Sequence, residues 1–459
     1  MVSPTIAQET IAGRLARVAH GLRADALPRA VRRVAGDLIL DVAGLCVAAR
    51  GTDYIQATLQ SVETAAGACT AIGHAGTFPA LDAALINGIA AHGEDYDDTF
   101  EGGPVHAGAV IVPAVLATAE RYGATGARML CGLATGVEVM CRLGLVAPMR
   151  VHKAGFHPTS VFGAMGSAVA AGVTLGLTEA QLVDAMGIVG SMAGGIIEYL
   201  ADGAWTKRLH AGWAAQSGIR AALLARGGFV GPRTVFEGTH GFFFSFANSS
   251  ENDFSPLVDG FGSTWLMETI AFKPYACGTM IHPYIDCAIR LASRGARAED
   301  IVSIECDTAD GIVHRLWEPL ASKQAPPNAY AAKFSTPFCI ALGFVHGDVG
   351  LGSFTDAALG DPRVRALAAK IHYRIDPANP YPRAFTGHLR ATLADGSVIE
   401  ERQPHFRGGA NEPLTAAEIG AKYAANAAFG GWSATQTDTA RTALERVFNG
   451  TLDLHALRA

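Results

Sequence analysis

GFHPTSVFGAMGSAVAAGVTLGLT, residues 155–178, is the longest stretch of the chain without a charged side chain, and its reading decides the fold. It is long enough for a spanning helix, which needs about 20 predominantly apolar residues. However, it carries His157, Pro158, Thr159, Ser160, Ser167 and Thr174, and its apolar part is mostly alanine and glycine, which supply little transfer energy. It reads as a buried helix of a soluble protein. The same texture extends to both sides. VRRVAGDLILDVAGLCVAAR (31–50), FPALDAALINGIAAHGEDYDD (78–98), AVIVPAVLATAERYG (109–123), ARMLCGLATGVEVMCRLG (127–144) and EAQLVDAMGIVGSMAGGI (179–196) place apolar residues at helical spacing. Several are apolar on all sides, the mark of core helices. Their contact positions are mostly Ala and Gly, so backbones can approach closely. Residues 1–267 therefore predict a tightly packed all-α domain.

The pattern changes near residue 268. IVSIECD (301–307) alternates like a strand, and LRATLADGSVIEE (389–401) holds two alternating runs around Asp395-Gly396, a strong hairpin signal. Helical stretches, HPYIDCAIRLASRG and NAYAAKFSTPFCIALGFVHG, lie between. Residues 268–404 predict a smaller α+β domain. From 405 to 459 the sequence is helical again and is expected to return to the first domain. The fold class is mainly α: a large helical domain with a smaller α+β lid.

Composition narrows the function. The chain has 459 residues, 49% hydrophobic and 17% charged, which excludes disorder as the main state. A net charge of −6 with no basic block excludes a nucleic-acid partner, because phosphate binding needs clustered Lys and Arg. Mean hydropathy is +0.22, yet no stretch reads as a membrane span. The N-terminal MVSPTIAQETIAGRLARVAHGLRADALP lacks a continuous apolar core, so no secretory signal is expected. The 8 cysteines are scattered with no CxxC pair, which suits a reducing cytoplasm and argues against a structural zinc site or iron–sulfur cluster.

Four clusters carry candidate chemistry. In Glu94-Asp95-Tyr96-Asp97-Asp98-Thr99, a continuing helix would put Asp95, Asp98 and Thr99 on one face at i, i+3 and i+4. Crowded carboxylates spread their proton affinities apart, and such a cluster can also attract a divalent cation such as Mg²⁺. The bland alternative is that Asp97 and Asp98 cap a helix end in solvent. After Gly102-Gly103-Pro104, His106 opens the next helix, where free N–H groups favour an anion. His157 stands at another loop-to-helix junction, in surroundings so apolar or small that a merely structural histidine has little reason to be there. Lys207, Arg208 and His210 read as an anion clamp rather than a solvated helix end. Lys273 precedes Pro274 at the junction of the two domains. Cys277 has no sequence-adjacent partner to activate it. There is no dinucleotide fingerprint, P-loop or GxSxG. Together these residues suit acid–base chemistry on a polyanionic small molecule. A non-catalytic binding protein of this fold would not need the cations and histidines, and a metal-dependent hydrolase using the acidic cluster is the weaker rival.

Taken in order, GEDYDDTF…VHAGAVIVPAVLATAE, GFHPTSVFGAMGSAVAAG, DGAWTKRLHAGWAAQSG, FKPYACGTMIHPYIDCA and AAKFSTPFCIALGFVHG resemble the MmgE/PrpD family across almost the whole chain. That family includes 2-methylcitrate dehydratase, cis-aconitate decarboxylase and iminodisuccinate epimerase. The resemblance implies an enzyme without cofactor or metal, a homodimer, a helical domain built from both chain ends, and an active site in the cleft beside the lid. It implies Asp95, His106, His157 and Lys207 as catalytic and Thr99 and Lys273 as substrate-binding, and the cation cluster adds Arg208 and His210 as substrate-binding. It suggests His157 as base and His106, bonded to Asp95, as acid. The substrate expected is a small di- or tricarboxylate that loses a proton next to a carboxylate. A 2-methylcitrate dehydratase-type lyase comes first, an iminodisuccinate-like epimerase second and a cis-aconitate-type decarboxylase third. The last ranking follows from Gly278, where decarboxylases of the family tend to carry a histidine. The loop from Glu101 to Val105 is also one residue longer than the usual spacing.

Overall fold

The computed structural model describes residues 9–62, 67–450 and 452–458; residues 1–8 of the N-terminal stretch read above for a signal lie outside them. By contact the chain forms two units. One takes the chain up to Gly93, Asp97–Ile270 and Glu418 onward; the other takes Glu94–Tyr96 and Ala271–Ala417.

The first unit is helical. Its main elements are α1 (Arg29–Ala49), α2 (Ala80–Gly93), α3 (Ala107–Tyr122), α4 (Gly126–Val146), α5 (Pro158–Leu175), α6 (Glu179–Gly190) and α7 (Thr206–Arg226). Every residue from Pro158 to Thr174 is buried. Helices α4 and α5 are long and apolar enough to cross a membrane, but 94% and 89% of those segments are buried within the structure, as core helices are. Small residues set the spacing between helices. A Cβ on Gly88 of α2 would stand 2.5 Å from the Gly212 Cα of α7, and one on Gly212 would stand 2.2 Å from the Leu85 carbonyl oxygen. A Cβ on Gly218 of α7 would stand 2.2 Å from the Ser167 hydroxyl of α5. Helix α7 thus lies against both α2 and α5 at backbone contact, which bulkier residues would forbid.

The second unit holds α8 (His282–Ser293), β1 (Ile301–Thr308), α9 (Thr336–His346), β2 (Ile371–Ile375), β3 (Gly387–Leu393) and β4 (Val398–Gln403). The sheet order is β2-β1-β3-β4. β1 and β2 run parallel, with Ile304 opposite Ile371, and β3 and β4 form the expected hairpin, with Leu389 opposite Glu401. Gly396 sits at φ +84° in its turn, a conformation open to glycine. The parallel strand β2 is an addition that the sequence pattern did not reveal. The unit also extends past residue 404. Phe406 is buried with its ring 5.1 Å from that of His282, and the Phe272 N–H donates to the Gly408 carbonyl at 3.0 Å. Helices α10 (Ala416–Phe429) and α11 (Ala434–Glu445) follow. Within the first unit, Lys422 of α10 pairs with Asp41 of α1 at 2.7 Å, both buried.

One sequence expectation fails here. The helix read through Asp98 stops at Gly93, so Asp95, Asp98 and Thr99 do not share a helical face. Asp95 adopts φ +56°, a left-handed conformation that Asp tolerates better than most residues and that ends a right-handed helix. The aspartates that follow use their carboxylates locally, the competition that keeps Asp out of helix interiors.

Candidate active site

Three helix starts and one helix end of the first unit carry His157, His106, His210 and His92. His157 caps the start of α5. Residues before proline are held extended, and His157 obeys, at φ −80° and ψ 112°, while its own N–H donates to the Gly195 carbonyl at 2.8 Å. His106 caps α3, and its N–H donates to Thr159 Oγ1 at 3.3 Å, tying that start to α5. Lys207 and His210 stand near the start of α7. His92 closes the last turn of α2.

These side chains meet. The His92 ring stacks on that of His157 at 5.6 Å and lies 5.0 Å from that of His106. His157 and His210 face each other through their Nδ1 atoms, 3.0 Å apart. Tyr199 presents its ring at 5.9 Å to His157 and 5.8 Å to His210. His157 and His210 are each 5% exposed.

The aspartates are structural partners of this cluster, not solvated caps. Asp97 Oδ2 accepts from His92 Nδ1 at 2.6 Å, and Asp97 Oδ1 lies 3.6 Å from His106 Nδ1. His106 Nδ1 donates to the Asp98 carbonyl oxygen at 2.7 Å, which assigns any proton transfer by this ring to its Nε2. Within this unit the carboxylate beside His106 Nδ1 is that of Asp97. Asp98 caps α3: its two oxygens accept from the N–H groups of Ala107 (3.1 Å) and Gly108 (2.9 Å). Gly108 is required there, since a Cβ would fall 2.4 Å from Asp98 Oδ1.

Arg208 serves the scaffold. Its Nε donates to the Gly93 carbonyl at 2.9 Å, and its guanidinium lies 4.5 Å above the Tyr54 ring. It caps the end of α2 that carries His92. Thr99 is buried in a two-residue strand with Phe100.

In the second unit, Lys273 is buried and donates to the Asp95 carbonyl at 2.7 Å, with Asp95 Oδ2 at 3.5 Å. Lys333 donates to the Glu94 carbonyl at 2.7 Å and to its carboxylate at 2.5 Å, and the Tyr96 hydroxyl donates to the Pro274 carbonyl at 2.9 Å. Two buried lysines thus hold the segment Glu94–Tyr96. Gly278 donates its N–H to the Lys333 carbonyl at 2.9 Å and brings no side chain to the unit.

Electrostatics separate the groups. Burial pushes His157 well below the usual histidine range, and His92, His210, Lys207 and His106 push it further, so it is neutral near pH 7. Burial, His92 and Lys207 bring His210 down to about 4. Burial and the neighbouring Asp97 raise Asp98 to about 8. A neutral imidazole beside a lysine, at helix starts that favour negative charge, can take a proton from a bound carboxylic acid anion.

His92, Asp97 and His106 also bring ligand atoms within 4.8 Å of one another, as a metal site would. His92 Nδ1 and His106 Nδ1 are both hydrogen-bond donors to oxygen, so any metal held by these rings would be bound through their Nε2 atoms.

Sequence reasoning passed over His92, Lys333 and Tyr199. His92 had a visible signal, as the one histidine in the apolar run ALINGIAAHG.

The chain is 29% identical to the mouse cis-aconitate decarboxylase, over 91% of its own length and 86% of that protein's. It is 30% identical to the cis-aconitate decarboxylase of Aspergillus terreus, over 91% and 89%. It is 26% identical to the 2-methylcitrate dehydratase of Cupriavidus necator, over 50% and 48%. Residues 13–255 match the MmgE/PrpD N-terminal domain and residues 275–447 the MmgE/PrpD C-terminal domain. With both domains matched in order along a chain whose helix starts gather these histidines, the protein belongs to the MmgE/PrpD family.

Proposed function

We propose that the protein is a lyase acting on a small di- or tricarboxylate, with elimination of water from a hydroxy acid as its reaction. The observation that carries this reading is a buried, neutral His157 beside Lys207, at the start of α5. His157 Nε2 takes the proton from the carbon next to a carboxylate. The electron pair left on carbon forms the double bond as the hydroxyl departs, and His106 Nε2–H protonates that hydroxyl, giving alkene and water. Charge that builds on the carboxylate oxygens is met by Lys207 and by the dipoles of α3, α5 and α7; preorganised charge of this kind usually contributes more to catalysis than any other single effect. Asp97, 3.6 Å from His106, stabilises positive charge on that ring. Lys273 and Arg208 act at a distance, by holding Asp95 and the end of α2.

Decarboxylation is the second reading, supported by similarity to cis-aconitate decarboxylases over most of the chain. Gly278, with no imidazole to offer, speaks for dehydration. Proton NMR with 2-methylcitrate, citrate and cis-aconitate separates the two. A new vinyl signal from a hydroxy acid supports the dehydratase. Loss of cis-aconitate with release of CO₂ assigns a decarboxylase. Conversion of none of them by folded protein overturns the carboxylate-lyase reading.

A further inference from the structure

We propose that His210 is a proton relay for His157: as His157 Nε2 takes the substrate proton, the Nδ1 proton of His157 passes to His210 Nδ1. This rests on the reading of His157 as base.

The two Nδ1 atoms are 3.0 Å apart in buried surroundings. A hydrogen bond between two imidazole nitrogens needs one donor and one acceptor, so a single proton lies between them. Two protons would collide, and two bare lone pairs would repel. With that proton on His157, its Nε2 keeps the lone pair that a base requires. The pair therefore fixes the tautomer as well as the ring plane.

The contact also answers a difficulty. His157 is enclosed by the stacked His92 ring, the edge of Tyr199 and the nearby Lys207, so a positive charge there is unfavourable. Passing the Nδ1 proton on leaves His157 neutral in its other tautomer and places the charge on His210. Burial, His92 and Lys207 lower His210 too, to about 4, so the relayed charge is short-lived. The balance is complete. One C–H bond breaks and one N–H bond forms at His157 Nε2; one N–H bond breaks at His157 Nδ1 and one forms at His210 Nδ1. When Nε2 later discharges its proton, the shared proton returns.

Two neighbours hold the pair together. Tyr199 touches both rings. Gly195, at φ +118°, leaves room for His210: a Cβ there would stand 3.1 Å from His210 Cδ2 and 2.6 Å from Ser160 Oγ.

The test has two arms. Glutamine at 210 can accept the His157 Nδ1–H but cannot carry the proton away. His210→Gln is expected to lower kcat by about 10²-fold, the low end of acid–base assistance, with little change in KM. Wild-type turnover in that variant overturns the relay. The second arm needs no substrate. In histidine labelled with ¹⁵N, the wild-type protein should show coupling across an N–H···N bond between residues 157 and 210, with the proton on His157 Nδ1 and Nε2 bare. His210→Phe should abolish it. A resting proton on His157 Nε2 overturns the proposal. Coupling present in a protein that converts no carboxylate counts against the lyase reading and not against the histidine pair.

Discussion

His92 Nδ1 lies 2.6 Å from Asp97 Oδ2, and neither side chain has exposed surface. This bond joins the last turn of α2 to the loop that leads to α3, and it sets the ring on which His157 stacks. Removing the acceptor leaves a buried donor unpaired. Asp97→Ala should lower unfolding stability by about 1–3 kcal/mol in urea titration. Asp97→Asn, which keeps an acceptor oxygen, should lose less.

His157 is the base in this scheme. His157→Asn should lower kcat by about 10²–10⁴-fold while the far-ultraviolet circular dichroism stays unchanged. Near-normal turnover would remove His157 from the chemistry.

The pH profile follows from the depressed affinity of His157 for protons. The neutral ring is the active form, so the acid limb of kcat/KM should lie below 6.5, the ordinary histidine value. Lys207 is one cause of the depression. Lys207→Met should move that limb to higher pH, besides weakening turnover. A wild-type limb at or above the ordinary value would contradict the electrostatic account.

Stability should share that dependence. Unfolded histidine takes a proton near 6.5, whereas folded His210 resists until about 4. In that window the unfolded state binds more protons, so stability is fully present above 6.5 and declines as the pH falls towards 4. His157, depressed in the same sense, adds to the slope. Melting temperatures across this window should fall more gently for His210→Phe than for wild type.

The contact between α2 and α7 gives a test of packing. Gly212→Ala should cost about 1–3 kcal/mol as an overpacked site and lower kcat, because these helices carry His92, Lys207 and His210. Gly36→Ala in α1 has open space at its Cβ and should instead stabilise by about 0.5–1 kcal/mol. Urea titrations of the two variants should move in opposite directions.

Much of this was legible along the chain. Periodicity located the helices from α1 to α6, and the Asp-Gly turn located the β3–β4 hairpin, because both signals are local. Strand β2, IHYRI, was hidden: its parallel pairing with β1 joins segments more than sixty residues apart, and a five-residue run carries little pattern of its own. The site was legible as a set of residue types. His106, His157, Lys207 and His210 stand out as polar groups at the starts of apolar helices. Arg208 looked like one more cation of the same set, but its partner, the Gly93 carbonyl, lies 115 positions away.

Local chemistry therefore specified which segments are helical, which glycines permit contact, and which histidines have no business in an apolar run. It did so because hydrophobic spacing and backbone preference act within a few residues. Which carboxylate lies beside His106 Nδ1, which nitrogens of His157 and His210 meet, and which carbonyl Arg208 Nε finds were decided by folding. Hydrogen bonds and burial act over a few ångströms of space, and residues 92, 106, 157 and 210 come within that range only once α2, α3, α5 and α7 have packed.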